Sequence, residues 1–169
     1  HAIKVAKEIG AILSVDPNIR EPLWKDMEDA RTQMAYGLSV CDILKISDNE
    51  IQWFSGKEDY TEGIHMLQQT YQIPLILLSM GKDGSRAYYK DMLVEVPAFL
   101  QKNTIETTGA GDTFGACCLH HILKYGLDNL TKQQLKEMLT FANAAASIIT
   151  TRKGALRVMP SLEEIQRLL

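Results

Sequence analysis

The chain has 169 residues, 46% hydrophobic and 23% charged, with a formal net charge of −3. That length supports one domain with its own core, and the mild acidity gives neither nucleic acid nor an anionic membrane any purchase as a partner. No apolar run reaches the roughly 18 residues of a membrane span; Cys41, Cys117 and Cys118 cannot form a disulfide framework and read as small core residues in a reducing, cytoplasmic compartment.

Residues 1–10 read as the second half of a helix, with Ile3, Ala6 and Ile9 on one face and Gly10 as its stop. A chain that starts in this way is expected to be the C-terminal part of a larger protein. Residues 11–15 are a β-prone run that ends at Asp16-Pro17-Asn18. Helix, strand and Pro-containing loop in that order predict an α/β protein with a mostly parallel sheet. Ligands of such sheets gather beyond the carboxyl ends of the strands, where Asp16, Asn18 and Arg20 fall. Asp16 reads equally well as a polar turn cap.

Residues 25–36 predict an amphipathic helix built on Met27, Ala30, Met34 and Ala35 and ended by Gly37. A strand over 43–46 follows, and then Ser47-Asp48-Asn49-Glu50, whose Ser-x-x-Glu spacing is a capping box for the next helix. Residues 60–71 are a further helix, with Ile64, Leu67 and Tyr71 inward. Leu75–Ser79 is the most apolar strand and is expected at the centre of the sheet. Ser79-Met80-Gly81-Lys82-Asp83-Gly84 then reads as a glycine turn into a hairpin, 86–90 and 93–96.

Residues 105–115 carry the strongest signal. Thr108-Gly109-Ala110-Gly111-Asp112 precedes an almost wholly apolar run to Leu123, so the glycines fall where a loop becomes a helix N-terminus. Free N–H groups and the positive end of the helix dipole favour an anion there, with the Asp112 carboxylate beside it. The helix 112–125 is expected to be buried all round. His120 and His121 are adjacent, so they cannot share the face a metal pair needs. Thr131-x-x-Gln134 is a second capping box with Leu130 and Leu135 as its staple; it opens a helix striped by Leu135, Met138, Leu139, Ala142, Ala145, Ala146 and Ile149. Asn143, polar among alanines, needs a partner. Arg152 and Lys153 suit the C-terminal end of that helix dipole, and Ser161-x-x-Glu164 caps a last helix with Leu162, Ile165, Leu168 and Leu169 inward.

Thr107-Thr108-Gly109-Ala110-Gly111-Asp112 resembles the C-terminal signature of the ribokinase-like (PfkB) family of sugar kinases. Four more stretches match that family in order. Asp16-Pro17-Asn18-Ile19-Arg20 is similar to its fructokinase branch, and Ser47 to Glu50 resembles the N-x-x-E motif with Ser for Asn. Ser79 to Gly84 resembles T-x-G-x-x-G with Ser for Thr, and Thr151 to Ala155 resembles the loop around adenine.

The resemblance implies a Rossmann-type three-layer α/β/α fold, of which 1–169 is the nucleotide-binding and catalytic part. It implies an ATP-dependent sugar kinase, closest to fructokinase, that transfers the γ-phosphoryl group of Mg·ATP. Asp112 would be the base and the Gly109, Ala110 and Gly111 amides the anion hole. Ser79, Gly81, Gly84, Thr108, Asn143 and Gly154 would line the nucleotide, and Asp16, Asn18 and Arg20 the phosphate side. Glu50 would reach Mg²⁺ through a water, and Glu106, where the family usually has Asp, would stand near K⁺. Sugar and ATP are the partners implied, with a homodimer formed through an N-terminal lid. Three other readings stay open: a family member acting on 2-keto-3-deoxygluconate, ribose or a nucleoside; a nucleotide-binding module without turnover; and a redox dinucleotide domain, which the missing G-x-G-x-x-G disfavours.

Overall fold

A computed structural model describes residues 1–169. Five strands form one sheet in the order β1 (Ser14–Val15), β2 (Ile43–Ser47), β3 (Leu75–Ser79), β4 (Ser85–Tyr89), β5 (Met92–Val96). The first three are parallel, with Ser14 opposite Ile43 and Ile43 opposite Leu75. Strands β4 and β5 are joined only by Lys90-Asp91, with Lys90 at φ +52°, so they make a tight hairpin. Helices alternate with the parallel strands: α1 (Ala2–Glu8), α2 (Met27–Leu38), α3 (Asp48–Ser55) and α4 (Tyr60–Tyr71). Three more follow the hairpin: α5 (Ala110–Tyr125), α6 (Lys132–Ile149) and α7 (Leu162–Leu168). This is the predicted α/β class.

The chain divides into two compact units, 1–79 with 88–91, and 80–87 with 92–169. In the first, β2 and β3 are buried at four consecutive positions each, Ile43–Ile46 and Leu75–Leu78, as strands covered on both faces must be. Leu38, Ile51, Ile64 and Leu67 complete that core. In the second, Leu135, Met138, Leu139, Ala142 and Ala145 form the expected stripe of α6, and Phe114, Cys118 and Ile122 the buried face of α5. Strand β5 alternates buried and exposed residues, the pattern of an edge strand.

Several expectations are corrected. Helix α5 is buried on one face only: Leu123 is 83% exposed and Tyr125 43%, so apolar composition overstated its burial. Gly37 lies inside α2 rather than ending it, and a Cβ there would meet the Val15 methyls at 3.4 and 3.8 Å, an ordinary contact. The β-prone run 11–15 yields a strand at Ser14–Val15 alone. Ile9 is exposed, as are Leu162 and Leu169, which leaves Ile165 as the buried anchor of α7. No helix is long and apolar enough to cross a membrane.

Candidate active site

In the first unit, the loop after β1 is held from β2 and α3. Lys45, a charge inside an apolar strand, is buried, and its Nζ lies 3.2 Å from each Asp16 carboxylate oxygen. Glu50 is buried as well. Its Oε1 accepts the Ile19 N–H at 2.7 Å, and its Oε2 accepts the Ser47 N–H at 2.9 Å and the Ser47 hydroxyl at 2.7 Å. The capping box is therefore present with both halves formed. The same carboxylate also carries a contact 31 residues back along the chain. Between these two anchors Asn18 takes a left-handed φ of +45°, and Asn18 and Arg20 are exposed, with Arg20 Nη1 donating to the Ile19 carbonyl at 3.2 Å. Asp16, Asn18, Arg20 and Glu50 thus share one loop-and-cap assembly. Sequence reasoning passed over Lys45, although a lysine between Leu44 and Ile46 was the signal that could have found it. At the end of β3 the Ser79 hydroxyl points back to the Ile46 carbonyl, 3.5 Å away.

In the second unit, Met80 to Gly84 forms a closed turn, with the Met80 N–H bonded to the Gly84 carbonyl at 2.9 Å. Gly84, at φ +102°, is buried against the next strand: a Cβ would stand 2.2 Å from the Val96 carbonyl oxygen and 2.8 Å from Pro97 Cα. Gly81, at φ +54°, faces open space. Only at Gly84 does close backbone approach demand glycine.

Helix α5 begins from Gly109 in the left-handed conformation, φ +78°. The Ala110 amide is engaged by the Thr107 carbonyl at 3.1 Å, and the Thr113 amide by the Gly109 carbonyl at 2.8 Å. The amides of Gly111 and Asp112 make no bond to the backbone, which is the ordinary condition of a helix start. Of the three amides expected to form an anion hole, that of Ala110 is engaged, while those of Gly109 and Gly111 bond no backbone carbonyl. Thr108 and Asp112 are exposed beside them, with Asp112 in the first turn. Thr113, not singled out in the sequence, has a buried hydroxyl with no partner.

The far side of this region is laced together by Glu106. Its Oε1 accepts the Gly154 N–H at 2.7 Å, while the Ile105 and Glu106 amides both donate to the Thr150 carbonyl, at 2.8 and 3.3 Å. Gly154 stands at φ +126°. Asn143 finds the partners its burial requires: Nδ2 donates to the Val96 and Pro97 carbonyls, each at 3.1 Å, and Oδ1 accepts the Ser85 hydroxyl at 2.9 Å. With both amide protons engaged, it holds the strand end in place and has no donor left for a ligand. Arg152 does not decorate the end of α6; it bonds the Val158 carbonyl and the Glu164 carboxylate. That hydrogen bond, ahead of the Ser161 amide, lowers the Glu164 carboxyl below its ordinary value. No group of three or more His, Cys, Asp or Glu side chains comes together that could cage a metal ion.

The chain is 36% identical over 168 residues to Fructokinase-1 of Zea mays, covering 99% of this chain and 52% of that protein. It is 38% identical over 160 residues to Probable fructokinase-2 of Arabidopsis thaliana, covering 95% of this chain and 48% of that one. The chain thus spans about half the length of the curated relatives it matches. Among solved structures, the fructokinase of Vibrio cholerae O395 bound to fructose, ADP and calcium superposes with a TM-score of 0.89 at 28% identity, over 99% of this chain and 54% of that one. The family model of the pfkB carbohydrate kinases matches residues 1–162, and the chain belongs to that family.

Proposed function

We propose that residues 1–169 are the nucleotide-binding and catalytic part of an ATP-dependent sugar kinase, most like a fructokinase, that transfers the γ-phosphoryl group of ATP to a sugar hydroxyl. The observation that carries this reading is the start of α5. The free Gly111 and Asp112 amides lie at the positive end of a 16-residue helix, with the Asp112 carboxylate exposed in the same turn. Amides fixed before the reaction suit the charge that develops on a transferring phosphoryl group. A carboxylate in that turn suits the removal of a hydroxyl proton.

The donor set fits a divalent ion that arrives with the nucleotide rather than one caged by protein, because such ions keep several waters. Bound Mg²⁺ supplies neutralisation of phosphate charge. Glu50 keeps lone pairs beyond its three hydrogen bonds and can orient a metal-bound water. Lys45 and Glu50 hold the loop that presents Asp16, Asn18 and Arg20. Ser79, Gly81 and Gly84 border the nucleotide, Asn143 keeps the strand end in position, and Glu106 fixes the Gly154 loop. A K⁺ ion near Glu106 would support that same loop.

The test is ATP consumption by the full-length protein across a panel of sugars, with and without K⁺. Turnover with fructose is expected. Asp112→Asn is expected to lower kcat by about 10²- to 10⁴-fold, the range of a general base, with nucleotide affinity little changed. Undiminished turnover would remove Asp112 from the chemistry, and ATP binding without turnover on any sugar would leave a nucleotide-binding module.

A further inference from the structure

Helices α5, α6 and α7 line an open cavity of about 550 Å³ within the second unit. This is inside the roughly 300–1,000 Å³ of small-molecule sites. Its walls have two characters. Phe99, Cys117 and Phe141 line it and pack onto the buried cluster of Ala144, Ala145 and Ile165, which makes an apolar, aromatic floor. Lys124 from α5 and Lys136 from α6 line it as well, and the ion pairs of this unit, Arg86–Glu95, Arg152–Glu164 and Arg167–Glu163, use neither. The one acid on the wall, Glu137, already accepts the Gln133 amide at 2.8 Å.

His121 adds a polar point to the floor. Its ring lies against Tyr125 at 4.6 Å between centroids, and its buried Nε2 has no partner. Burial pushes this imidazole below its ordinary pKa, so near neutral pH it is uncharged and offers one donor and one acceptor. Lys124 is 12 residues beyond Asp112 on the same helix, about 18 Å along its axis at 1.5 Å per residue. The Lys124 end of the cavity is therefore well separated from Asp112.

We propose that this cavity binds a small organic anion with a flat aromatic body, its acidic head between Lys124 and Lys136 and its ring against Phe99 and Phe141. The apolar floor rewards the ring with desolvation. The two ammonium groups, neither in an ion pair and that of Lys124 lying 4.9 Å over the Tyr125 ring, select a phosphate, sulfonate or carboxylate over a neutral molecule of the same shape.

The probe is 8-anilinonaphthalene-1-sulfonate, titrated by fluorescence onto the protein in saturating ATP, with neutral N-phenyl-1-naphthylamine in parallel. One saturable site for the sulfonate is expected, weakened about tenfold or more by Lys124→Glu with Lys136→Glu, while near-ultraviolet circular dichroism stays that of the parent. Thr140→Trp, which fills the cavity from its wall, is expected to abolish binding; exposed Gln166→Trp serves if that variant does not fold. Equal binding of the neutral probe, a charge-reversal effect within about twofold, or no sulfonate binding would overturn the assignment.

Discussion

Gly81 and Gly84 belong to one turn and both have positive φ, yet a side chain meets open space at the first and the Val96 carbonyl at the second. Gly81→Ala bears only the left-handed backbone penalty, about 1–2 kcal/mol. Gly84→Ala must also displace the strand end, and we expect it to cost about 4 kcal/mol or more, the range reserved for severe steric conflict. Urea unfolding of both variants measures this; equal losses would mean that the turn yields as a whole. Glu50 allows a second prediction at this scale. If its carboxylate clamps the Ile19 and Ser47 amides, Glu50→Ala destabilises the protein by about 2 kcal/mol through stranded, partly buried donors, in the absence of nucleotide and magnesium. A residue that served only a metal-bound water would leave the stability of the ligand-free protein unchanged.

At the scale of elements, what the sequence made legible is local. The capping boxes at Ser47, Thr131 and Ser161 all form as their spacing predicts, because each joins groups three residues apart in one turn. The covered strands were legible too, from unbroken apolar runs. The contacts between distant residues were not. Glu50 reaches Ile19, Asn143 reaches Ser85, and Glu164 reaches Arg152; such contacts depend on which elements the fold brings together. The Arg152–Glu164 contact joins the loop after α6 to α7 and has a pH signature. Its hydrogen bond depresses the Glu164 carboxyl in the folded state, so its contribution is complete above the ordinary value of 4.5 and disappears as pH falls through the lower folded value. The melting temperature of the parent should exceed that of Glu164→Gln near neutral pH, and the gap should close as pH falls below about 4.5. A gap that stays constant into acid would assign the difference to packing rather than charge.

Across the molecule, the three thiols sample both compact units: Cys41 lies in the first, Cys117 and Cys118 in the second. Burial raises Cys41 and Cys117 from 9.0 to about 11, and fully buried Cys118 rises further still. Two pH units reduce the thiolate, which is the reactive form, about a hundredfold. Native protein at pH 8 should therefore consume almost no disulfide reagent in the time that urea-unfolded protein yields its three equivalents. Labelling should then rise only with conditions that open each core, Cys41 marking the parallel-sheet unit and Cys118 the α5–α6 unit. Cys117 is the sensitive point, because it lines the aromatic cavity and is only half-buried. One rapid equivalent at Cys117 would mean that the cavity floor is open to water and reagent in the ligand-free protein, and the bound sulfonate should then slow that labelling by covering the floor.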